Sequence, residues 1–260
     1  MDAYALTAAP RNYNQTTEFS SLFRDCGAEQ IRIEATPDYL YSTDSAKKIH
    51  NELPGSKMVF VLRHPVNRLI SWYNFARVNG LISSQTTFET YILTQQNTTD
   101  TNKPQHLRAL EQGLYSSFAE QYLNIFGKNA VLIVFYEDLV SNPKQFCSDI
   151  AGFAGIDENY FRNFDFKIFN KTVPAKSVNA HQLFRKIKRA IRPVTRIFNA
   201  SIRKKLKLAG HNLESRFQNA NKNEDLSDVS LSADMLQYLE NFYKSDKIKL
   251  QQLTGKIVPW

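Results

Sequence analysis

The chain has 260 residues, of which 42% are hydrophobic and 22% charged; that balance excludes a disordered chain and supplies one α/β domain with a substantial core. Its only cysteines are Cys26 and Cys147, which excludes a disulfide framework and points to a reducing compartment. The net charge is +8, no apolar run approaches membrane-spanning length, and the N-terminus carries no signal-peptide pattern, so the expected location is cytoplasmic.

In chain order, residues 1–17 are polar and aperiodic, and Glu18 to Arg24 fits a short helix. Gln30-Ile31-Arg32-Ile33-Glu34 predicts a short strand, followed by a turn at Thr36-Pro37-Asp38. A helix is expected from Asp44 to Leu53, capped by Ser42 or Asp44 and closed by Pro54-Gly55. The run Met58-Val59-Phe60-Val61-Leu62 predicts a strand buried on both faces. It stops at Arg63-His64-Pro65, where Pro65 suits the first turn of a helix extending to Val78. A short helix is expected at residues 87–93 and, after a polar loop at Asn97 to Pro104, a longer one that begins at Gly113-Leu114-Tyr115 and runs through Phe126. Ala130 to Phe135 reads as a second buried strand. Tyr136-Glu137-Asp138-Leu139 opens another helix, Asn142-Pro143 punctuates it, and the next runs from Lys144 to Ala154 and ends at Gly155. Beyond it lie a Lys-containing stretch at Phe169 to Lys176, basic amphipathic helices from His181 to Leu208 broken near Pro193, and a last helix from Ser232 to Leu253. Strands alternating with helices argue a parallel sheet.

The strand–turn–helix unit at residues 57–80 holds the chemistry. Arg63 sits where the strand ends, and Ser71 sits about two turns into the helix. A guanidinium fork and a hydroxyl near a helix N-terminus suit a phosphate. The same two residues also fit a surface arginine and a helical serine that share no ligand.

The pattern Arg63, Pro65, Arg68, Ser71, Tyr73 resembles the 3′-phosphate-binding motif of sulfotransferases that use 3′-phosphoadenosine 5′-phosphosulfate (PAPS), above all the carbohydrate and heparan-sulfate type and its bacterial relatives. The order that follows is similar to the family as well: a Gly-x-Tyr helix at Gly113, a strand, Tyr136-Glu137-Asp138-Leu139, and Asn142-Pro143. The resemblance implies a P-loop nucleoside-kinase-like α/β fold, a parallel sheet flanked by helices with a basic helical C-terminal part. It implies one domain over 1–260, with a nucleotide-binding core at 1–165 and basic loop and helices at 166–260. PAPS is the implied co-substrate, with Arg63 and Ser71 on its 3′-phosphate, and Lys171 and Lys176 on a basic loop that covers the nucleotide. The implied reaction moves a sulfuryl group to a hydroxyl or amine of a carbohydrate acceptor. Arg68 is expected to cap or pack locally.

The family's Lys- and Gly-containing loop for the 5′-phosphosulfate has no counterpart among the 260 residues, and by the resemblance it falls upstream of Asp2. The domain is therefore expected to be N-terminally truncated and this chain alone poorly stable, and the missing loop is compatible with an inactive chain. The strand preceding that loop belongs between the strands at 58–62 and 131–135, which must close up or leave a gap. The alternative function is a non-catalytic truncated paralogue or a basic anion-binding, peripheral-membrane module.

Glu34 is the candidate catalytic base; the same carboxylate could instead hydrogen-bond the turn after it. His64, His106 and Tyr115 are weaker candidates, and Glu137 and Asp138 suit the dipole of the helix they open. No His/Cys/Asp cluster has metal-ligand spacing, so no metal is expected. Residues 166–213 hold 13 Lys or Arg and no Asp or Glu, leaving the remainder of the chain net acidic. That local basicity suits the nucleotide and an acidic polysaccharide, an anionic membrane met peripherally through residues 184–207, or simply a solvated face. No nucleic-acid module is recognisable.

Overall fold

The computed structural model describes residues 31–96, 107–166, 179–180, 183, 187, 229 and 231–260. The chain forms two compact units: residues 1–64, 114–166 and 242–260 make the first, and residues 65–113 and 167–241 the second.

The first unit is built on a parallel pair of strands, β1 (Met58–Leu62) and β2 (Val131–Phe135), joined in register from Met58 opposite Val131 to Leu62 opposite Phe135. The two apolar runs therefore pair directly, closing up against each other. One face of the pair carries Phe60, Leu62, Val131, Ile133 and Phe135 into a core with Ala46, Tyr115, Ala119, Tyr122, Leu250 and Val258. Helix α1 (Thr43–Glu52) packs there against a later helix, Tyr115–Phe126. The Ser42 side chain caps α1 by accepting from the Ser45 N–H at 3.1 Å, as its position before the helical period predicts. The Tyr122 ring meets Phe60 edge-on at 4.7 Å, and burial pushes its phenol pKa up.

The expectation that β1 is buried on both faces is corrected. Val59 and Val61, on the opposite face, are 37% and 49% exposed. Val134 on the same face is buried, and the helices at 136–141 and 143–154 contact β2, so β2 alone approaches two-sided burial. The predicted strand at residues 30–34 is also corrected: residues 31–36 have no regular structure, and Ile31 and Ile33 face solvent. An alternating pattern makes a strand only where an edge is offered to it, and no ladder reaches these residues. Residues Pro37–Tyr41 instead make a 3₁₀ turn.

The second unit contributes α2 (Pro65–Val78) and α3 (Phe88–Leu93). Leu69, Tyr73 and Ala76 form the buried stripe of α2 at helical spacing. Tyr73 packs its ring edge-on against Phe88 at 5.3 Å and donates its hydroxyl to the Thr86 carbonyl at 2.7 Å. Arg68 does more than pack locally. It donates to the Ala109 carbonyl and to Gln112 Oε1, each at 2.9 Å, tying α2 to a segment some 40 residues away. Gln95 accepts from the Leu110 N–H at 3.0 Å and completes that tie.

Back in the first unit, α4 (Tyr115–Phe126) has no cap of its own, because Leu114 stands at the N-cap position. The cap comes from the far end of the chain: buried Asp246 accepts from the Tyr115 N–H at 2.9 Å, the Ser116 N–H at 3.0 Å and the Ser116 hydroxyl at 2.6 Å. A carboxylate at a helix N-terminus satisfies orphan donors and complements the dipole. After β2 come α5 (Tyr136–Ser141) and α6 (Pro143–Ala154). Asn142 caps α6, and Gly155, at φ +81°, ends it in the left-handed conformation that glycine adopts without steric cost. The last helix, α7 (Ala233–Thr254), runs from the second unit into the first. Beyond it Lys256 donates to the Ile133 carbonyl at 2.7 Å. Of the basic helices expected at 181–208, only residues 183 and 187 are described, both helical; the rest lie outside the described residues.

Candidate nucleotide-binding site

Parallel strands that end in register place the residues that follow them side by side. Leu62 pairs with Phe135, so Arg63 leaves the sheet opposite Tyr136. This is the carboxyl end of the strands, where open α/β sheets bind ligands. The Arg63 guanidinium lies over the Tyr136 ring, 5.1 Å from its centroid. It is half-buried, and among the described residues no carboxylate pairs with it and no carbonyl takes its N–H donors. A guanidinium supported from one side by a ring, with its fork uncommitted, is a fitting receptor for an anionic oxygen pair.

The turn that carries it is held tightly. The Tyr115 hydroxyl donates to the Arg63 carbonyl at 2.8 Å, and the His64 N–H donates to Glu137 Oε1 at 2.9 Å. The His64 ring lies 6.0 Å from that of Trp260, which in turn meets Phe135 edge-on at 5.2 Å. His64 thus sits among aromatic rings on the turn.

Ser71 belongs to the second unit. It is half-buried in α2, two residues from Leu69 and from Tyr73 and so off the buried stripe those residues define. The Glu34 carboxylate accepts a hydrogen bond from the Thr36 hydroxyl, at the start of the 3₁₀ turn. That is a bond to the turn that follows it, the use set beside catalysis above. Lys171, Lys176 and His106 lie outside the described residues, as does the stretch 188–207. Among the described residues no group of three His, Cys, Asp or Glu side chains could hold a metal ion, and no helix is long and apolar enough to cross a membrane.

Sequence reading overlooked the parts of Tyr136, Glu137 and Tyr115 in the Arg63 turn. The signal was present in the two apolar runs: set parallel with their ends level, they bring Tyr136-Glu137 beside Arg63-His64.

The family model described as "Sulfotransferase domain" matches residues 41–205, more than half of the chain. The chain belongs to the sulfotransferase family. The matched span of this sulfotransferase-family chain contains Arg63, Ser71, Lys171 and Lys176. Human heparan sulfate glucosamine 3-O-sulfotransferase 6 is 27% identical over 174 residues, covering 62% of this chain and 49% of that protein. The human bifunctional heparan sulfate N-deacetylase/N-sulfotransferase 2 is 31% identical over 117 residues, covering 44% of this chain and 13% of the other. The chain thus spans about half, or less, of the length of these curated relatives. In three dimensions it is similar to a sulfotransferase from Alicyclobacillus acidocaldarius, with a TM-score of 0.62 at 16% identity over 94% of this chain and 72% of that one. That likeness concerns the fold, and it agrees with a parallel sheet flanked by helices.

Proposed function

We propose that this protein is a PAPS-dependent sulfotransferase that moves a sulfuryl group to a hydroxyl, or to an amine, of a carbohydrate. The observation that carries the reading is the position of Arg63, an uncommitted guanidinium at the carboxyl end of a parallel strand, ahead of a helix bearing Ser71. In this reading Arg63 and Ser71 together hold the 3′-phosphate of the nucleotide, and Lys171 and Lys176 close over it. The acceptor oxygen or nitrogen attacks sulfur in line, the bond from sulfur to the bridging oxygen breaks, and 3′,5′-ADP departs with that electron pair. The acceptor proton passes to a base, for which Glu34 is the candidate. Positioning and charge stabilisation supply most of the rate, as in phosphoryl transfer. A carbohydrate acceptor is favoured by the heparan sulfate enzymes among the relatives and by the basic stretch at 166–213.

The test is transfer of radiolabelled sulfuryl from PAPS to N-desulfated or O-desulfated heparin by the 260-residue chain. Label in the polysaccharide, reduced at least tenfold by Arg63→Ala, is the expected result; the factor follows from losing charge-assisted bonds to phosphate. Binding of 3′,5′-ADP with no transfer to any acceptor supports the non-catalytic alternative.

A further inference from the structure

We propose that Tyr115 and Glu137 are positioning residues that clamp one peptide group and thereby fix the direction in which Arg63 presents its guanidinium. The inference rests on the reading of Arg63 as the 3′-phosphate receptor. The Arg63 carbonyl and the His64 N–H are the two polar ends of a single planar peptide, and they point in opposite directions. Tyr115, in the first turn of α4, donates its hydroxyl to the carbonyl at 2.8 Å. Glu137, in the first turn of α5, accepts from the N–H at 2.9 Å. Rotating that peptide plane breaks one bond or the other. The same rotation, through ψ of Arg63, changes the exit direction of the chain from the guanidinium's own residue.

Both clamps are themselves held. Tyr115 is buried, with its ring 6.2 Å from that of Trp260. Its backbone N–H is bonded to Asp246, so the start of α4 is fixed where the hydroxyl originates. The second carboxylate oxygen of Glu137 is shut away from water and has no hydrogen-bond partner. The Glu137 side chain is thus committed to this turn. Neither residue needs to touch the nucleotide; each acts through Arg63.

The experiment titrates the full 260-residue chain with 3′,5′-ADP and with 5′-AMP by calorimetry, in the parent and in Tyr115→Phe, Glu137→Ala and Glu137→Gln. Loosening the peptide should weaken 3′,5′-ADP about fivefold to tenfold in Tyr115→Phe and in Glu137→Ala, the size of one hydrogen bond's contribution. Binding of 5′-AMP, which has no 3′-phosphate, should be unchanged in both. Glu137→Gln keeps an acceptor oxygen and should stay within about twofold of the parent. A purely structural role predicts otherwise: both nucleotides weakened alike, or a lower melting temperature with the preference for 3′,5′-ADP intact. Either result overturns the proposal. Tyr115→Phe removes only a hydroxyl, so it decides the matter if Glu137→Ala does not fold. A parent chain with no preference for 3′,5′-ADP over 5′-AMP overturns the reading of Arg63 itself, a failure visible before any variant is measured.

Discussion

Two arginines five residues apart do opposite work. Among the described residues Arg63 keeps its fork free over the Tyr136 ring, whereas Arg68 commits two nitrogens to the Ala109 carbonyl and Gln112 Oε1. The difference follows from where each lies: Arg63 at a strand terminus, Arg68 on a helix facing the loop ahead of α4. Arg68→Leu removes both bonds and leaves two acceptors unpaired, with a cost of about 2–3 kcal/mol. The denaturant midpoint of the variant should fall at unchanged slope, while any binding of 3′,5′-ADP persists at temperatures where the variant is folded. A loss below about 0.5 kcal/mol would mark the contact as an exposed, water-competed one. From sequence Arg63 could be singled out because it follows an apolar run directly. The distant attachment of Arg68 could not, since a partner 41 residues away leaves no local periodic trace.

At the scale of elements, the chain's own patterns located most helices and both strands. Met58 to Leu62 is a five-residue apolar run in the sequence and a strand of the same bounds in the fold. Helix ends followed their punctuation, with Ser42 and Asn142 as caps and Gly155 as a terminator. Two features were not legible, and each depends on a neighbour. Burial of both faces of β1 requires a layer over Val59 and Val61, and these two side chains remain 37% and 49% exposed. A strand at 30–34 requires an edge to pair with. The cap of α4 belongs with these, because a Leu at the N-cap position gives no hint that a carboxylate 130 residues onward serves instead. Asp246→Ala strands the Tyr115 and Ser116 N–H groups in a buried setting and should destabilise the chain by about 3 kcal/mol, with Asp246→Asn losing about half of that. Equilibrium unfolding in urea measures both. An Asp246→Ala chain as stable as the parent would mean that α4 finds another cap.

At the scale of the whole molecule, the two units meet along the sequence at His64 and Pro65, within the motif itself. The strand terminus with Arg63 falls in one and the helix with Ser71 in the other. The family was legible from a dozen residues because the motif is a matter of local order: strand, arginine, proline, helix, serine. The acceptor was not, since acceptor contacts come from loops whose composition follows no period.

The most direct measurement is therefore thermal unfolding of the 260-residue chain with and without 3′,5′-ADP, repeated with 5′-AMP and with Arg63→Ala. Saturating 3′,5′-ADP should raise the parent's midpoint by several degrees, 5′-AMP should raise it little, and Arg63→Ala should abolish the difference between the two. Equal shifts with both nucleotides, or a shift that survives the loss of Arg63, would contradict the assignment of the 3′-phosphate to this site.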